Sequence, residues 1–260
     1  MQKSALESLS NQTLEHHLLE IQKSQTNLKG VTLKTGLIYS DVFSNESGNS
    51  VYIKPENLQI TGAFKLRGAY NKLCSLTPSE RKRGVIASSA GNHAQGVAYS
   101  AQKLGIKSTI VMPKTTPLIK VEATKSYGAN VILIGDCYDD ANAEAKKLEK
   151  EHNYVFVHPF DDLTVMYGQG TIACEIIEEI DDIDCILVPI GGGGLIAGIA
   201  LAAKALKPNI KIIGVEPEGA KAMKDSIDCK KVVNLETVCT IADGVDRKST
   251  RLNSSHKTHL

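Results

Sequence analysis

Short apolar runs recur along this chain, and a stretch of helical pattern follows most of them. The runs are 51-VYIKPE-56, 84-GVIASS-89, 108-STIVMP-113, 130-NVILIG-135, 154-YVFVHP-159, 185-CILVPI-190 and 211-KIIGVEP-217. Between them lie helical stretches such as 92-NHAQGVAYSAQKLG-105, 117-PLIKVEATKSYG-128 and 138-YDDANAEAKKLEKEH-152. Continuous apolar strands alternating with helices predict an α/β fold with parallel sheets covered on both faces. Pro117 suits a first helical turn, and Gly105 and Gly128 suit C-terminal stops. Ahead of this body the first thirty residues predict one helix, with Leu14, Leu18, Ile21 and Leu28 on a face and Gly30 ending it. Parallel sheets bind ligands beyond the carboxyl ends of their strands. The turns after 84–89 and 185–190 are therefore the places to look for chemistry.

Other classes are set aside by size and composition. At 260 residues, with 42% hydrophobic and 23% charged residues, the chain can bury a substantial core and has no disordered or coiled-coil bias. The longest apolar runs are far too short to span a membrane, and no secretory pattern opens the chain, so a soluble, cytoplasmic protein is expected. The six cysteines form no CxxC pair and are expected to be mostly reduced core residues. The last fourteen residues, 247-RKSTRLNSSHKTHL-260, hold four bases and no acid. Without them 26 bases face 29 acids, which leaves no electrostatic footprint for nucleic acid.

Three stretches carry the chemistry. In 185-CILVPIGGGGLIAGIALAAKAL-206 an apolar strand, four glycines and an alanine-rich helix follow one another. Consecutive glycines let backbone N–H groups turn toward one anion, and a helix N-terminus adds partial positive charge, so a phosphate cradle is expected. In 61-TGAFKLRGAYNKL-73, Lys65 stands beside Phe64 near a helix start, where lost solvation would free its amine as a nucleophile. Alone, it would pass for a surface lysine. In 88-SSAGNHAQG-96, Ser89, Gly91, Asn92 and His93 offer donors suited to a carboxylate at a helix N-terminus, although spacing alone favours a plain helix cap.

Taken together, TGAFKLRGA, SAGNHAQGVA and PIGGGGLIAGIA resemble the fold-type II pyridoxal-phosphate enzymes, nearest their threonine dehydratase (threonine deaminase) and serine racemase branch. The likeness runs from about Leu28 to Gly244 and includes GIKSTIVMPK, KVEATKSYGANVILIG, HPFDD, GQGTIACEI and TIADG. It implies two doubly wound parallel-sheet domains with pyridoxal 5'-phosphate between them. By resemblance, Lys65 would carry the cofactor covalently and act as the catalytic base. Phe64 would pack on the cofactor ring, Asn92 would bond its 3-hydroxyl, and Gly191, Gly192, Gly193, Gly194 and Leu195 would hold the phosphate. Gly244 would lie near the cofactor. Ser89, Gly91, Asn92 and His93 would take the substrate carboxylate.

The implied activity is α,β-elimination, converting L-threonine to 2-oxobutanoate and ammonia, or L-serine to pyruvate and ammonia, in isoleucine biosynthesis or threonine catabolism. Serine racemase is the alternative. Racemases of this branch resemble SSGNH in the asparagine loop, whereas Ala90 stands before Gly91 here and can neither give nor take a proton. HPFDD also favours the dehydratase. A metal site known in relatives is matched by Glu216 and Ala220, but the expected acid is Ala222, so no metal is expected and Glu216 reads as a solvent-facing strand end.

The implied layout is residues 1–54 as the N-terminal helix and first part of a larger domain, 55–153 as a smaller α/β domain, 154–246 as the continuation of the larger one, and 247–260 as a foreign-looking, disordered tail. The larger domain reads as truncated, leaving an inactive fragment that keeps only cofactor or partner binding as a further alternative. At full length a homo-oligomer is implied. Uncovered apolar surface costs about 25 cal/mol per Å² against a total stability of about 5–15 kcal/mol. The 260-residue chain is therefore expected to express poorly and turn over little threonine. Replacing the tail with a family-like C-terminal segment should restore both solubility and turnover, and robust turnover by the unaltered chain would refute this.

Overall fold

The computed structural model describes residues 12–242, 244 and 245, so the expectations for 247–260 fall outside the described residues. Helix α1 (Leu14–Leu28) opens the described chain, with the Thr13 hydroxyl accepting from the His16 N–H at 3.2 Å. Its buried stripe is His17, Ile21, Ser24 and Leu28, whereas Leu14 is 47% exposed. The inward face is thus rotated from the one expected. The reason is a polar pair: His17 Nδ1 lies 2.9 Å from the Tyr167 hydroxyl, which lets an imidazole sit in the core where leucine was expected.

Strand β1 (Ile38–Tyr39), helix α2 (Asp41–Ser47) and strand β2 (Tyr52–Ile53) follow, with β1 and β2 antiparallel. This pairing departs from the all-parallel expectation. Next come α3 (Lys65–Cys74), α4 (Pro78–Arg83), β3 (Val85–Ser88), α5 (Asn92–Leu104), β4 (Ser108–Met112), α6 (Leu118–Ser126), β5 (Asn130–Leu133), α7 (Tyr138–His152) and β6 (Val155–Phe156). The four strands form one parallel sheet in the order β5-β4-β3-β6. All residues of β3 and β4 are buried, which is why those runs read as unbroken apolar stretches. Gly105 closes α5 in the left-handed conformation, as its position foretold. Because β6 pairs with β3, this sheet runs past the 153/154 boundary drawn from the sequence.

The chain then enters α8 (Leu163–Glu179), β7 (Cys185–Pro189), α9 (Gly194–Leu206), β8 (Lys211–Val215) and α10 (Ala222–Asp228). Strands β7 and β8 pair in parallel, Ile186 opposite Ile212. One face joins the main core through Ile186, Val188 and Ile212. On the other, Leu187 is 66% and Ile213 46% exposed, so the expected cover on both faces is not met among the described residues. The cysteine expectation also changes. All six are free, yet only Cys174 is buried, while Cys137, Cys229 and Cys239 are exposed.

Helix α8 organises the packing. A Cβ on Gly68 would lie 2.7 Å from the Val165 carbonyl oxygen, and one on Gly168 would lie 2.6 Å from that of Arg67. On the α9 side, a Cβ on Gly170 would meet the Gly198 carbonyl at 2.8 Å. Glycine at these sites lets α3 and α9 approach α8 backbone to backbone, where any side chain would overpack the contact.

Charge fixes the same region. Arg67 is fully buried and donates to Glu56 at 2.8 Å and to Glu175 at 2.5 Å, while Lys54 pairs with Glu175 at 2.7 Å. Burial alone would raise the Glu175 carboxyl, but Arg67 and Lys54 outweigh it and hold it below its ordinary value of 4.5. A depressed carboxyl stabilises the fold above its unfolded pKa, and that contribution is lost as pH falls through the native value. Glu175→Gln should therefore cost about 3 kcal/mol or more near neutral pH, because Arg67 stays buried with one partner fewer. In urea unfolding followed from about pH 7 to about pH 3, the variant should lose less stability on acidification than the parent. Parallel pH profiles would contradict the pairing.

Candidate functional site

Lys65 is the first residue of α3, and its Nζ donates to the Pro159 carbonyl at 2.8 Å. Phe64 precedes it, half-buried against the main core, with its ring centroid 5.3 Å from that nitrogen. A Cβ on Gly96 would lie 3.2 Å from the Lys65 carbonyl, so the first turns of α5 lie directly against the start of α3. Asn92 and His93 open α5. Asn92 is exposed, whereas His93 is buried with Nε2 2.9 Å from the Val157 carbonyl. Gly91 precedes them as the cap residue, and its N–H donates to the Ser89 hydroxyl at 3.2 Å.

The glycine turn joins the same place from the other sheet. Gly193 adopts a left-handed φ of 92°, which a residue with a Cβ takes up only under strain, and caps α9. A Cβ on Gly192 would collide with the Phe160 ring, and one on Gly194 would come 2.8 Å from the Phe160 carbonyl. The first N–H groups of α9 have no carbonyl further back in the helix to receive them and stay available to an anion. Leu195 is half-buried against the main core. Gly244 lies outside this connected group: it is exposed, and a Cβ there would meet nothing within 4 Å among the described residues.

The segment 157–160 is thus the common neighbour of all three motifs, whereas in the sequence HPFDD serves only as a family marker with no contact assigned to it. Val157 holds His93, Pro159 holds Lys65, and Phe160 lies on the glycines. One sign in the sequence points there: 154-YVFVHP-159 ends in a carboxyl-end turn just as 84–89 and 185–190 do. The contacts themselves use main-chain oxygens, which residue identities do not display. Glu216 also departs from expectation. It is half-buried, and its carboxylate accepts from the N–H groups of Met223 at 3.0 Å and Lys224 at 2.8 Å, so it closes the first turn of α10. Burial pushes its carboxyl up despite those bonds. A separate cavity of about 260 Å³, lined by Gln25, Lys29, Arg67 and Glu175 among others, includes none of the residues expected to hold the cofactor or the substrate.

A family model described as pyridoxal-phosphate dependent enzyme matches residues 28–257. The chain belongs to the pyridoxal-phosphate-dependent enzymes. It is 48% identical to the L-threonine ammonia-lyase of Thermotoga maritima over 228 residues, which make up 88% of this chain and 57% of that protein. It therefore spans little more than half the length of that relative. The processed threonine deaminase isoform 2 of Solanum lycopersicum superposes with a TM-score of 0.89 at 42% identity, covering 94% of this chain and 71% of that one. Maize serine racemase superposes at 0.87 and 36%, with 90% and 71% covered. The fold is accordingly the fold-type II α/β architecture of these enzymes.

The residues present fit the family's cofactor. An amine suited to its aldehyde stands near a helix N-terminus that can take its phosphate. Buried hydroxyls on Thr61 and Ser88, one just before Lys65 and the other beside the asparagine loop, have no hydrogen-bond partner among the described residues. Gly192→Ala should push Phe160 out of the turn, cost about 1–3 kcal/mol of stability and weaken pyridoxal phosphate binding by about tenfold, read by urea unfolding and fluorescence titration. An alanine variant that binds as tightly as the parent would remove the turn from the site.

Proposed function

We propose that this chain carries the catalytic half-site of a threonine dehydratase, converting L-threonine to 2-oxobutanoate and ammonia and acting likewise on L-serine. The observation that carries this reading is the convergence of Lys65, the Asn92–His93 turn and the glycine turn on residues 157–160. In it, Lys65 holds the cofactor through its amine and moves the substrate α-proton. The backbone N–H groups of Gly191–Leu195 take the phosphate, Phe64 flanks the ring and Asn92 meets the 3-hydroxyl. Ser89, Gly91, Asn92 and His93 bind the substrate carboxylate, and Gly244 lies near the cofactor. Pyridoxal phosphate, when bound, supplies an electron sink that stabilises negative charge at the substrate α-carbon.

Within this reading the larger domain comprises residues 1–54 and 154–246 apart from β6, which extends the sheet of the smaller domain, 55–153. The full-length protein is cytoplasmic, assembles with copies of itself and takes small amino acids rather than nucleic acid as partners. No described helix is long and apolar enough to cross a membrane.

Serine racemisation is the second reading, supported by the likeness to maize serine racemase. It requires an acid–base group on the face opposite the lysine, and Ala90 offers none. Borohydride reduction in the presence of pyridoxal phosphate should fix the label at Lys65, and Lys65→Ala should abolish both label and turnover. A label spread evenly over surface lysines would defeat the assignment. Given L-serine, the parent should yield pyruvate with little D-serine by chiral chromatography, and Ala90→Ser should raise the D-serine fraction. D-serine as the parent's main product would reverse the ranking.

A further inference from the structure

We propose that His158 is a positioning residue for this site: its Nδ1 ties the 158–161 turn together and so fixes the Lys65 amine and the glycine turn relative to each other. This rests on the reading of Lys65 as the cofactor lysine and deepens it. His158 Nδ1 accepts from the Asp161 N–H at 2.7 Å and from the Phe160 N–H at 3.3 Å. A nitrogen facing two donors keeps its lone pair, so the neutral ring carries its proton on Nε2.

Two neighbours held by this turn reach different motifs. Pro159 is buried with its φ locked near −65°, and its carbonyl receives the Lys65 amine at 2.8 Å. Phe160 lies against Gly192 and Gly194, and its ring meets the His158 ring edge to face at 4.7 Å. Upstream, His93 anchors the Val157 carbonyl. Turning the 159–160 peptide would therefore carry the carbonyl away from Lys65 and the phenyl ring away from the glycines in one motion. The imidazole opposes that motion from inside the turn, in two separable ways: as an acceptor and as a packing ring.

Two substitutions separate these. His158→Phe keeps a ring and loses the acceptor, while His158→Asn loses the ring but can accept from N–H groups two and three residues on, as asparagine does in turns. In the full chain without cofactor, acetylation of Lys65 by acetic anhydride is followed by mass spectrometry against exposed lysines as internal references. Loss of the carbonyl contact removes one hydrogen bond from the amine, so His158→Phe should raise the Lys65 rate by ~threefold or more, with His158→Asn within ~twofold of the parent. Pyridoxal phosphate affinity, by fluorescence titration, should fall ~tenfold in His158→Phe and return to within ~threefold in His158→Asn. A Phe variant equal to the parent, or an Asn variant as impaired as Phe, overturns the proposal.

Should His158→Phe fail to fold, the parent decides. The amides of Phe160 and Asp161 should exchange ~tenfold or more slowly than in an unstructured peptide, and unprotected amides there overturn the proposal. If the parent never takes pyridoxal phosphate at Lys65, the cofactor reading falls, while the acetylation rates still decide what His158 does.

Discussion

The approach of α3 and α9 to one helix, α8, is the constraint on which the site depends. Gly68 and Gly168 bring α3 against α8, and Gly170 and Gly198 bring α9 against its next turn. Lys65 starts α3 and the glycine turn starts α9, so the two chemical groups stand at the N-terminal ends of helices seated on a common support. A methyl group at any of these four positions would meet backbone, which cannot move aside as a side chain does. Precision at the site is thus set three helical residues beyond Lys65 and four beyond Gly194, where no chemistry occurs.

Electrostatics complete what packing begins. Arg67, Glu56, Glu175 and Lys54 come from three separate parts of the chain and bury two cations against two carboxylates. Burial alone would lower the Arg67 pKa, yet its hydrogen bonds to the Glu56 and Glu175 carboxylates hold it above its ordinary value. Such a cluster tolerates little displacement, because moving one member strands a charge away from water. It sits two residues past Lys65, and so it fixes the helix end on which the amine is carried.

The alternation of strand and helix was legible because β3 and β4 are buried on both faces and leave no polar residue to blur the pattern. The glycine turn and the ends of α5 were legible for a similar reason, since glycine marks backbone that must turn or make room. What could not be read is made of backbone oxygens and partner choice. His17 reads as a polar interruption on the face of α1 until Tyr167, 150 residues away, is seen to meet it. Residues 157–160 look like the end of a strand, and only the fold shows that two of their carbonyls receive side chains from two motifs. The continuation of this sheet beyond residue 153 could not be read, because a two-residue strand, β6, carries too short a pattern to announce it.

The glycine run illustrates how one sequence feature can answer to several causes at once. An anion cradle alone explains why backbone N–H groups should be bare, and that was the reason read from sequence. In the fold, Gly193 answers to its left-handed φ of 92° and Gly192 and Gly194 answer to the bulk of Phe160. The turn is therefore shaped by an aromatic residue of the 157–160 segment. Phe160 in turn is held by the peptide that presents the Pro159 carbonyl to Lys65. The glycine turn and the Lys65 amine are consequently held near each other by the protein itself. Both touch one short segment, Pro159–Phe160, which together with the helices seated on α8 sets the distance between them.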